Sequence, residues 1–350
     1  MPSTVDKSKI SIGVAGCSRI SDKHFKAINS YEELELVSVC DLDLQTLKAH
    51  SEKYSVKSYS DLEQMLQNEK LDLVSICTPS GIHSSQAILC AKYGVNVITE
   101  KPMATTWEDG LKMVDACNIA EVKLFVVKQY RQLQTLKTLK KAIDDNRFGR
   151  INIVNLNVFW TRPQEYFDQA AWRGSAAMDG GAFMNQASHY VDLLHWLFGP
   201  VSEVGAFMST SLDIETEDTG VLNIKWKNGT LGSMNVTMLT YPKNFEASIT
   251  VIGDRGTVKI GGTAANEIQH WEFSDFKDYD STIDYVNSQT SEILASGKGH
   301  NMYYKNIIEV FKGRESAETD GDDGLSSLEV LIALNLAAKN NSIIKLPLER

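Results

Sequence analysis

The sequence predicts two units of different class. The first, over residues 1–128, is an α/β unit with a doubly wound parallel sheet; the second, over residues 129–350, is an α+β unit with a largely antiparallel sheet and helices on one face. Three observations carry this expectation. Up to about Val127, short runs that are apolar at most positions rather than at alternate ones lie between amphipathic stretches. Beyond that point the strand-like segments alternate apolar and polar residues with period two, and an Asn-Gly dipeptide joins two of them. The composition of the segments, rather than a linker, marks the boundary near residue 128.

Buried strands are expected at Ile10 to Ala15, Leu36 to Cys40, Leu73 to Cys77, Val95 to Ile98 and Leu124 to Val127. Apolar residues at most positions, rather than at alternate ones, mean burial on both faces, the pattern of parallel strands covered by crossover helices. Those helices are predicted at His24 to Ser30, Leu44 to Tyr54, Leu62 to Asn68, Ser84 to Tyr93 and Trp107 to Ala120. In the second half Ile151 to Trp160 alternates, and Gly220 to Trp226 turns through Lys227-Asn228-Gly229 into Thr230 to Met238, Asn-Gly being a favoured hairpin dipeptide. A second hairpin is expected from Ser248 to Ile252 and Thr257 to Ile260. Helices follow at about Asn301 to Lys312 and Gly324 to Ala338. Strands such as Val221 to Trp226 carry apolar residues on both sides, so one sheet face is expected to meet another subunit.

Composition excludes several classes. At 350 residues, 43% hydrophobic and 23% charged, the chain is that of a globular protein. Its longest apolar stretches, such as Val330 to Leu334, fall far short of the roughly 18 residues of a membrane span. With 35 basic and 45 acidic side chains, a net charge of −10 and no Lys/Arg block, nucleic acid is not an expected partner. The five cysteines lie at no metal-ligand spacing, and His24, His50 and His270 have no partner spacing either, so no metal is expected. Reduced thiols and a polar start from Met1 to Lys9 point to the cytoplasm.

Candidate cofactor residues lie at strand ends. Gly16 closes the first strand, and Cys17-Ser18-Arg19-Ile20-Ser21 leads into a helix, where backbone N–H groups can meet a pyrophosphate. Only the first glycine of G-x-G-x-x-G is present, so an ordinary strand-to-helix turn reads equally from these residues. Asp41 ends the second strand, 25 residues after Gly16, where a carboxylate accepts adenosine ribose hydroxyls and repels a 2′-phosphate; this favours NAD over NADP. Thr78-Pro79-Ser80 with His83, and Glu100-Lys101-Pro102, follow the next two strands of the expected sheet, pointing into the same ligand crevice.

Taken with Gly180-Gly181-Ala182-Phe183-Met184-Asn185-Gln186 and the later His189 and Asp192, these motifs resemble the Gfo/Idh/MocA family of nicotinamide-dependent sugar oxidoreductases along essentially the whole chain. Phe159 to Gln164, Trp172-Arg173-Gly174, Met184 to His189 and Met238 to Asn244 resemble its WlbA-type members. The resemblance implies a Rossmann domain, bound NAD, a homotetramer, and oxidation of the 3-hydroxyl of UDP-N-acetylglucosaminuronic acid in bacterial surface polysaccharide synthesis. It also implies that Gln129, Trp172 and Arg173 contact the nicotinamide end of the cofactor. The chain departs from many family members at Asn185, where they carry aspartate, and at Ser18 and Ser21, where they carry glycine.

Oxidising a secondary alcohol needs a hydride acceptor and a base for the hydroxyl proton. His189 suits the base near neutral pH, and Lys101 either steadies the developing alkoxide or shares the proton transfer. Asn185 and His189 are four apart in a stretch of helical period, so they are expected on one helix face, with Asn185 and Gln186 holding sugar hydroxyls. Arg162 and Lys243 are the cations available for the diphosphate or the uronate, and the sequence does not choose between them. UDP-N-acetylglucosamine, an inositol-like polyol, or an NAD-binding regulator without turnover are the rival readings. The presence of both Lys101 and His189 argues against the last.

Overall fold

A computed structural model describes residues 9–349 of the chain, so the expectation about the polar start falls largely outside the described residues. In chain order the first elements are β1 (Ile10–Ala15), α1 (Ser21–Ile28), β2 (Leu34–Cys40), α2 (Leu44–Tyr54), β3 (Lys57–Tyr59), α3 (Leu62–Asn68), β4 (Leu73–Ile76), α4 (His83–Lys92), β5 (Asn96–Thr99), α5 (Trp107–Ile119) and β6 (Leu124–Val126). Then come α6 (Gln134–Asp144), β7 (Ile151–Phe159), α7 (Gln164–Phe167), α8 (Ser188–Phe198), β8 (Val201–Ser209), β9 (Thr219–Trp226), β10 (Leu231–Thr237), β11 (Glu246–Gly253), β12 (Gly256–Gly261) and β13 (Glu267–Phe273). The chain continues through α9 (Ile283–Ser296), α10 (Lys298–Phe311), α11 (Gly321–Asn340) and β14 (Ile344–Lys345).

Two compact units result. One takes in the described residues of Met1–Ala104 with Glu108–Val127 and Gly297–Gly324; the other comprises Thr105–Trp107, Lys128–Ser296 and the described residues of Leu325–Arg350.

The first unit is a parallel sheet in the order β3-β2-β1-β4-β5-β6. Strand order reverses between β1 and β4, so the carboxyl ends of both open at the switch point where such sheets bind ligands. Ile12, Val14, Val39, Leu73, Ile98 and Phe125 form its buried core, joined by Tyr303, Tyr304, Ile307 and Ile308 of α10. Residues 297–324 were expected with the second half. They belong to the first because α10 places its apolar face on this core, and burying Ile307 and Ile308 contributes roughly 1.5–3 kcal/mol each. The sequence reading missed β3, a three-residue Lys-Ser-Tyr edge strand with no apolar run.

The second unit is an eight-stranded sheet in the order β13-β12-β11-β7-β10-β9-β8-β14. Its pairs are antiparallel except β7 with β10, which run parallel because α7, α8, β8 and β9 intervene between them. Both expected hairpins form, β9–β10 and β11–β12. Along β9, Leu222, Ile224 and Trp226 are buried while Val221, Asn223 and Lys225 face outward. Trp226 stacks edge-on with Phe198 and donates its indole N–H to the Leu194 carbonyl, so α8 covers the inner face. The outer face exposes Ile153, Phe207, Val221, Leu231 and Ile252 around a hydrogen-bonded ladder of Asn155, Asn157, Asn235, Ser233 and Ser248. No helix among the described residues is long and apolar enough to cross a membrane.

Candidate active site

Gly16 turns at φ +90°, and a Cβ there would lie 2.7–2.8 Å from the backbone of Cys77 and Thr78, so only glycine lets β1 end this close to the segment after β4. Ser18 and Arg19 are exposed on the turn into α1, with Ile20 just before its first residue. Asp41 sits beside the turn: its carboxylate accepts the N–H of Cys17 at 2.6 Å and that of Asp43 at 2.8 Å. Thr78 donates its hydroxyl to Gln86, Pro79 precedes a short 3-10 turn, and Ser80 is buried. A glycine cradle that a side chain would fill, a carboxylate next to it and an adjoining helix start fit a dinucleotide. All five cysteines are free and buried, and burial pushes the Cys17 and Cys40 thiols up to about 12.

Two residues proposed for the cofactor turn inward. The ring nitrogens of His83, a buried residue, lie 2.8 Å from the carbonyl oxygens of Thr78 and Pro102, and burial lowers its pKa. Glu100 is buried, and its Oε1 accepts from His24 at 3.0 Å and His300 at 2.9 Å. Their side chains therefore brace the segment around Lys101, itself half-buried just after β5. His24, Glu100 and His300 are also the one group among the described residues whose donor atoms cluster within 4.8 Å in the manner of metal ligands. Spacing in the sequence concealed the partners of His24.

In the second unit, Lys128 to Arg131 grip α8 residue by residue. Arg131 holds Asp192 through Nε and Nη2 at 2.9 and 2.8 Å, and Lys128 lies 3.3 Å from the same carboxylate. Burial would raise the Asp192 pKa, but these two cations outweigh it and hold the group down to about 2. Gln129 places its amide nitrogen 3.1 Å from His189 Nε2, donating to it when the ring proton is on Nδ1. Tyr130 stacks on the same ring at 4.5 Å. Gln129, expected at the nicotinamide end of the cofactor, thus also touches the histidine.

Asn185 and His189 do not share a continuous α-helix. Asn185 lies in a π-helical turn, Ala182–Gln186, closed by the Ala187 N–H donating to the Ala182 carbonyl; α8 begins at Ser188. The turn forms because Gly180 and Gly181 hold φ of +85° and +103°, and a side chain at Gly181 would collide with Glu217. Asn185 donates its amide to buried Asp179, so a carboxylate reaches this position from six residues upstream. Sequence reasoning passed over Asp179 and Glu217; the paired glycines after Asp179 were the available signal. Glu217 accepts the Phe183 N–H at 2.9 Å, yet burial, aided by the charges of Asp179 and Asp218, pushes its pKa up to about 7.

Arg162 reaches Gln186 at 3.1 Å, the Thr161 carbonyl at 2.7 Å and Asn244 at 3.3 Å. Its guanidinium lies over Tyr166 at 5.4 Å, and that of Arg173 lies over the same ring at 4.3 Å. Arg173 donates to the Tyr166 carbonyl and to Gln169, while its buried Nε makes no hydrogen bond. Trp172 is half-buried and Lys243 exposed. The structure therefore groups Arg162, Arg173 and Gln186 around Tyr166, an aromatic the sequence reading did not single out, and leaves Lys243 on an outer loop.

Residues 10–128 match the family described as "Oxidoreductase family, NAD-binding Rossmann fold", and residues 140–346 match "Oxidoreductase family, C-terminal alpha/beta domain", the two parts of the Gfo/Idh/MocA group. The WlbA dehydrogenase from Bordetella pertussis, solved with NADH and UDP-GlcNAcA, is 49% identical with a TM-score of 0.96, covering 98% of this chain and 99% of its own. The WlbA dehydrogenase from Chromobacterium violaceum, solved with the same two ligands, is 50% identical with a TM-score of 0.95, covering 99% and 98%. The myo-inositol 2-dehydrogenase of Thermotoga maritima is 27% identical over 257 residues, 71% of this chain and 74% of its own.

Proposed function

The chain belongs to the Gfo/Idh/MocA oxidoreductase family, and from that premise we propose that it oxidises the 3-hydroxyl of UDP-N-acetylglucosaminuronic acid to the 3-keto sugar with NAD. The observation that carries the reading is the identity of 49% and 50%, over nearly the whole chain, to two dehydrogenases solved with NADH and UDP-GlcNAcA. The grouping of Arg162, Asn185, Gln186 and His189 in one unit supports it.

Each residue has a part in this proposal. Gly16, Ser18, Arg19 and Ile20 receive the pyrophosphate, and Asp41 takes the ribose hydroxyls. Thr78, Pro79 and Ser80 line the same sheet end, with Trp172 and Arg173 serving the nicotinamide end. Bound NAD supplies the hydride acceptor. His189 takes the proton of the hydroxyl, and Lys101 steadies the oxygen as negative charge develops. Arg162 binds an anionic group of the nucleotide sugar, Lys243 adds long-range charge, and Asn185 and Gln186 hold sugar hydroxyls. Glu100, His83 and Gln129 act through other residues: the first two brace the backbone beside Lys101, and Gln129 orients His189.

The assembly in this reading is a homotetramer that covers the outer sheet face around Phe207 and Leu231, and light scattering at micromolar concentration tests it. The setting is the bacterial cytoplasm, in surface polysaccharide synthesis, in keeping with five free cysteines. The decisive experiment is to denature the purified protein, identify the released dinucleotide, and screen UDP-sugars for absorbance of reduced nicotinamide. NAD or NADH in the supernatant and a signal with UDP-N-acetylglucosaminuronic acid are expected. Absence of reduction with every UDP-sugar overturns the reading.

A further inference from the structure

Three histidines are buried in the first unit, and all three converge on one tripeptide. His24, on α1, and His300, on α10, are 0% and 1% exposed, and each places Nε2 on the same oxygen of Glu100. The other Glu100 oxygen accepts the backbone N–H of Lys101 at 3.2 Å. His24 is fixed in turn, since Ser75 Oγ and Tyr304 Oη lie 2.8 and 2.9 Å from its Nδ1. On the far side of Lys101, the ring nitrogens of His83 lie 2.8 Å from the Pro102 and Thr78 carbonyl oxygens, and the ring donates to one of them. Lys101 is therefore held by buried polar contacts on both sides, and its side chain leaves from a backbone anchored to two helices and to the end of β4.

A buried carboxylate is costly unless its lone pairs are used, and here two imidazoles and one amide use them. Burial would raise the Glu100 pKa, but the two histidines outweigh it and hold the group well below the carboxylate range. Apolar residues of similar volume would pack this core at lower electrostatic cost. What the polar cluster adds is direction: hydrogen bonds specify one position of the Glu100 side chain, and hence of the peptide that follows it, where apolar contacts tolerate several.

We propose that His24 and His300, acting through Glu100, are positioning residues for Lys101. The proposal rests on the reading of Lys101 as catalytic. In the alcohol oxidation, a lysine displaced by a fraction of an ångström loses its hold on the developing alkoxide, while the dinucleotide cradle at Gly16 and Asp41 is unchanged.

The test compares His300→Leu, which keeps volume and removes the N–H, with His300→Gln, which restores a donor, each alone and combined with Lys101→Ala. His300→Leu is expected to lower kcat about 10- to 100-fold, with the Kd for NAD and the KM for the sugar within about threefold of wild type. His300→Gln should recover most of the loss. In the Lys101→Ala background, His300→Leu should cost nothing further, because its effect passes through the lysine. An unchanged kcat in His300→Leu, or an equal loss on top of Lys101→Ala, overturns the proposal while leaving Lys101 in its role. Should Lys101→Ala keep wild-type turnover, the functional reading itself fails. Elemental analysis of the purified protein adds one more outcome: a stoichiometric divalent metal would make the cluster a metal site and overturn the positioning role. If His300→Leu does not fold, Glu100→Gln in the same double-variant scheme gives the same decision.

Discussion

Tyr130 lies flat against His189, ring centroids 4.5 Å apart and planes within 8°, while its neighbour Gln129 holds the imidazole Nε2 at 3.1 Å. A histidine held by a stacked face and a hydrogen bond has one ring orientation, and it can take a proton at Nδ1 in the tautomer whose Nε2–H donates to the Gln129 amide oxygen.

Tyr130→Phe, which keeps the stacked face, should retain kcat within about threefold, whereas Tyr130→Leu should lose roughly 10- to 100-fold. NAD affinity should be unaltered in both. Gln129→Glu places a carboxylate at Nε2 and favours the protonated ring, so the acidic limb of the kcat/KM profile should move to higher pH by about one unit. A pH-rate profile superimposable on wild type would remove Gln129 from this role.

Lys101→Ala and His189→Ala should each lower kcat by about 100- to 10,000-fold, leaving a slow but measurable residual rate, while NAD binding stays within about threefold, since both are assigned to the sugar hydroxyl rather than to the dinucleotide. Stopped assays with NADH absorbance and binding titrations give the two numbers, and wild-type rates in both variants refute the assignment.

Asp41 accepts two backbone N–H groups, those of Cys17 and Asp43, which fixes its carboxylate beside the Gly16 turn. Asp41→Ser should narrow the preference for NAD over NADP by removing a charge that repels the 2′-phosphate. The kcat/KM ratio for the two cofactors measures it; an unchanged ratio places the discrimination elsewhere.

Glu217, raised to about 7, gives a stability signature. Between the unfolded pKa of about 4.3 and the folded value of about 7, the native state binds the extra proton, so stability falls as pH rises through that window. Glu217→Gln keeps an acceptor for the Phe183 N–H and removes the titration. The variant should gain on the order of 1–3 kcal/mol over wild type near pH 8, shrinking towards pH 4. Urea denaturation across this range checks it, and parallel pH curves for the two proteins would contradict it.

The uronate and the unoxidised hexosamine differ by one charge at C6. A charge-assisted hydrogen bond contributes roughly 1.5–3 kcal/mol, a 10- to 100-fold effect, so kcat/KM for UDP-N-acetylglucosaminuronic acid should exceed that for UDP-N-acetylglucosamine at least about tenfold. With a net charge of −10 the chain as a whole does not attract anions, and the selectivity is expected to come from local cations, for which Arg162 is the candidate. Equal values for the two nucleotides would leave a plain UDP-hexosamine dehydrogenase.

Local chemistry by itself determined much of this protein. Non-alternating, mostly apolar runs identified five of the six parallel strands, because burial on both faces puts apolar residues on both sides of a strand, and Asn228-Gly229 marked its hairpin because few dipeptides adopt that turn. Gly16 and Asp41 were legible for the same reason: each sits at a strand end, where position in the chain and position in the sheet coincide. The tertiary structure decided what depends on distant residues. His24 gained its partners Glu100 and His300 only when α1, β5 and α10 met, and Asp179 reached Asn185 only because Gly180 and Gly181 bend the chain into a π-helical turn. Hydrogen bonds and buried charges are short-ranged in space but blind to separation along the chain, so periodicity reports which face of an element is covered and leaves open which side chain covers it.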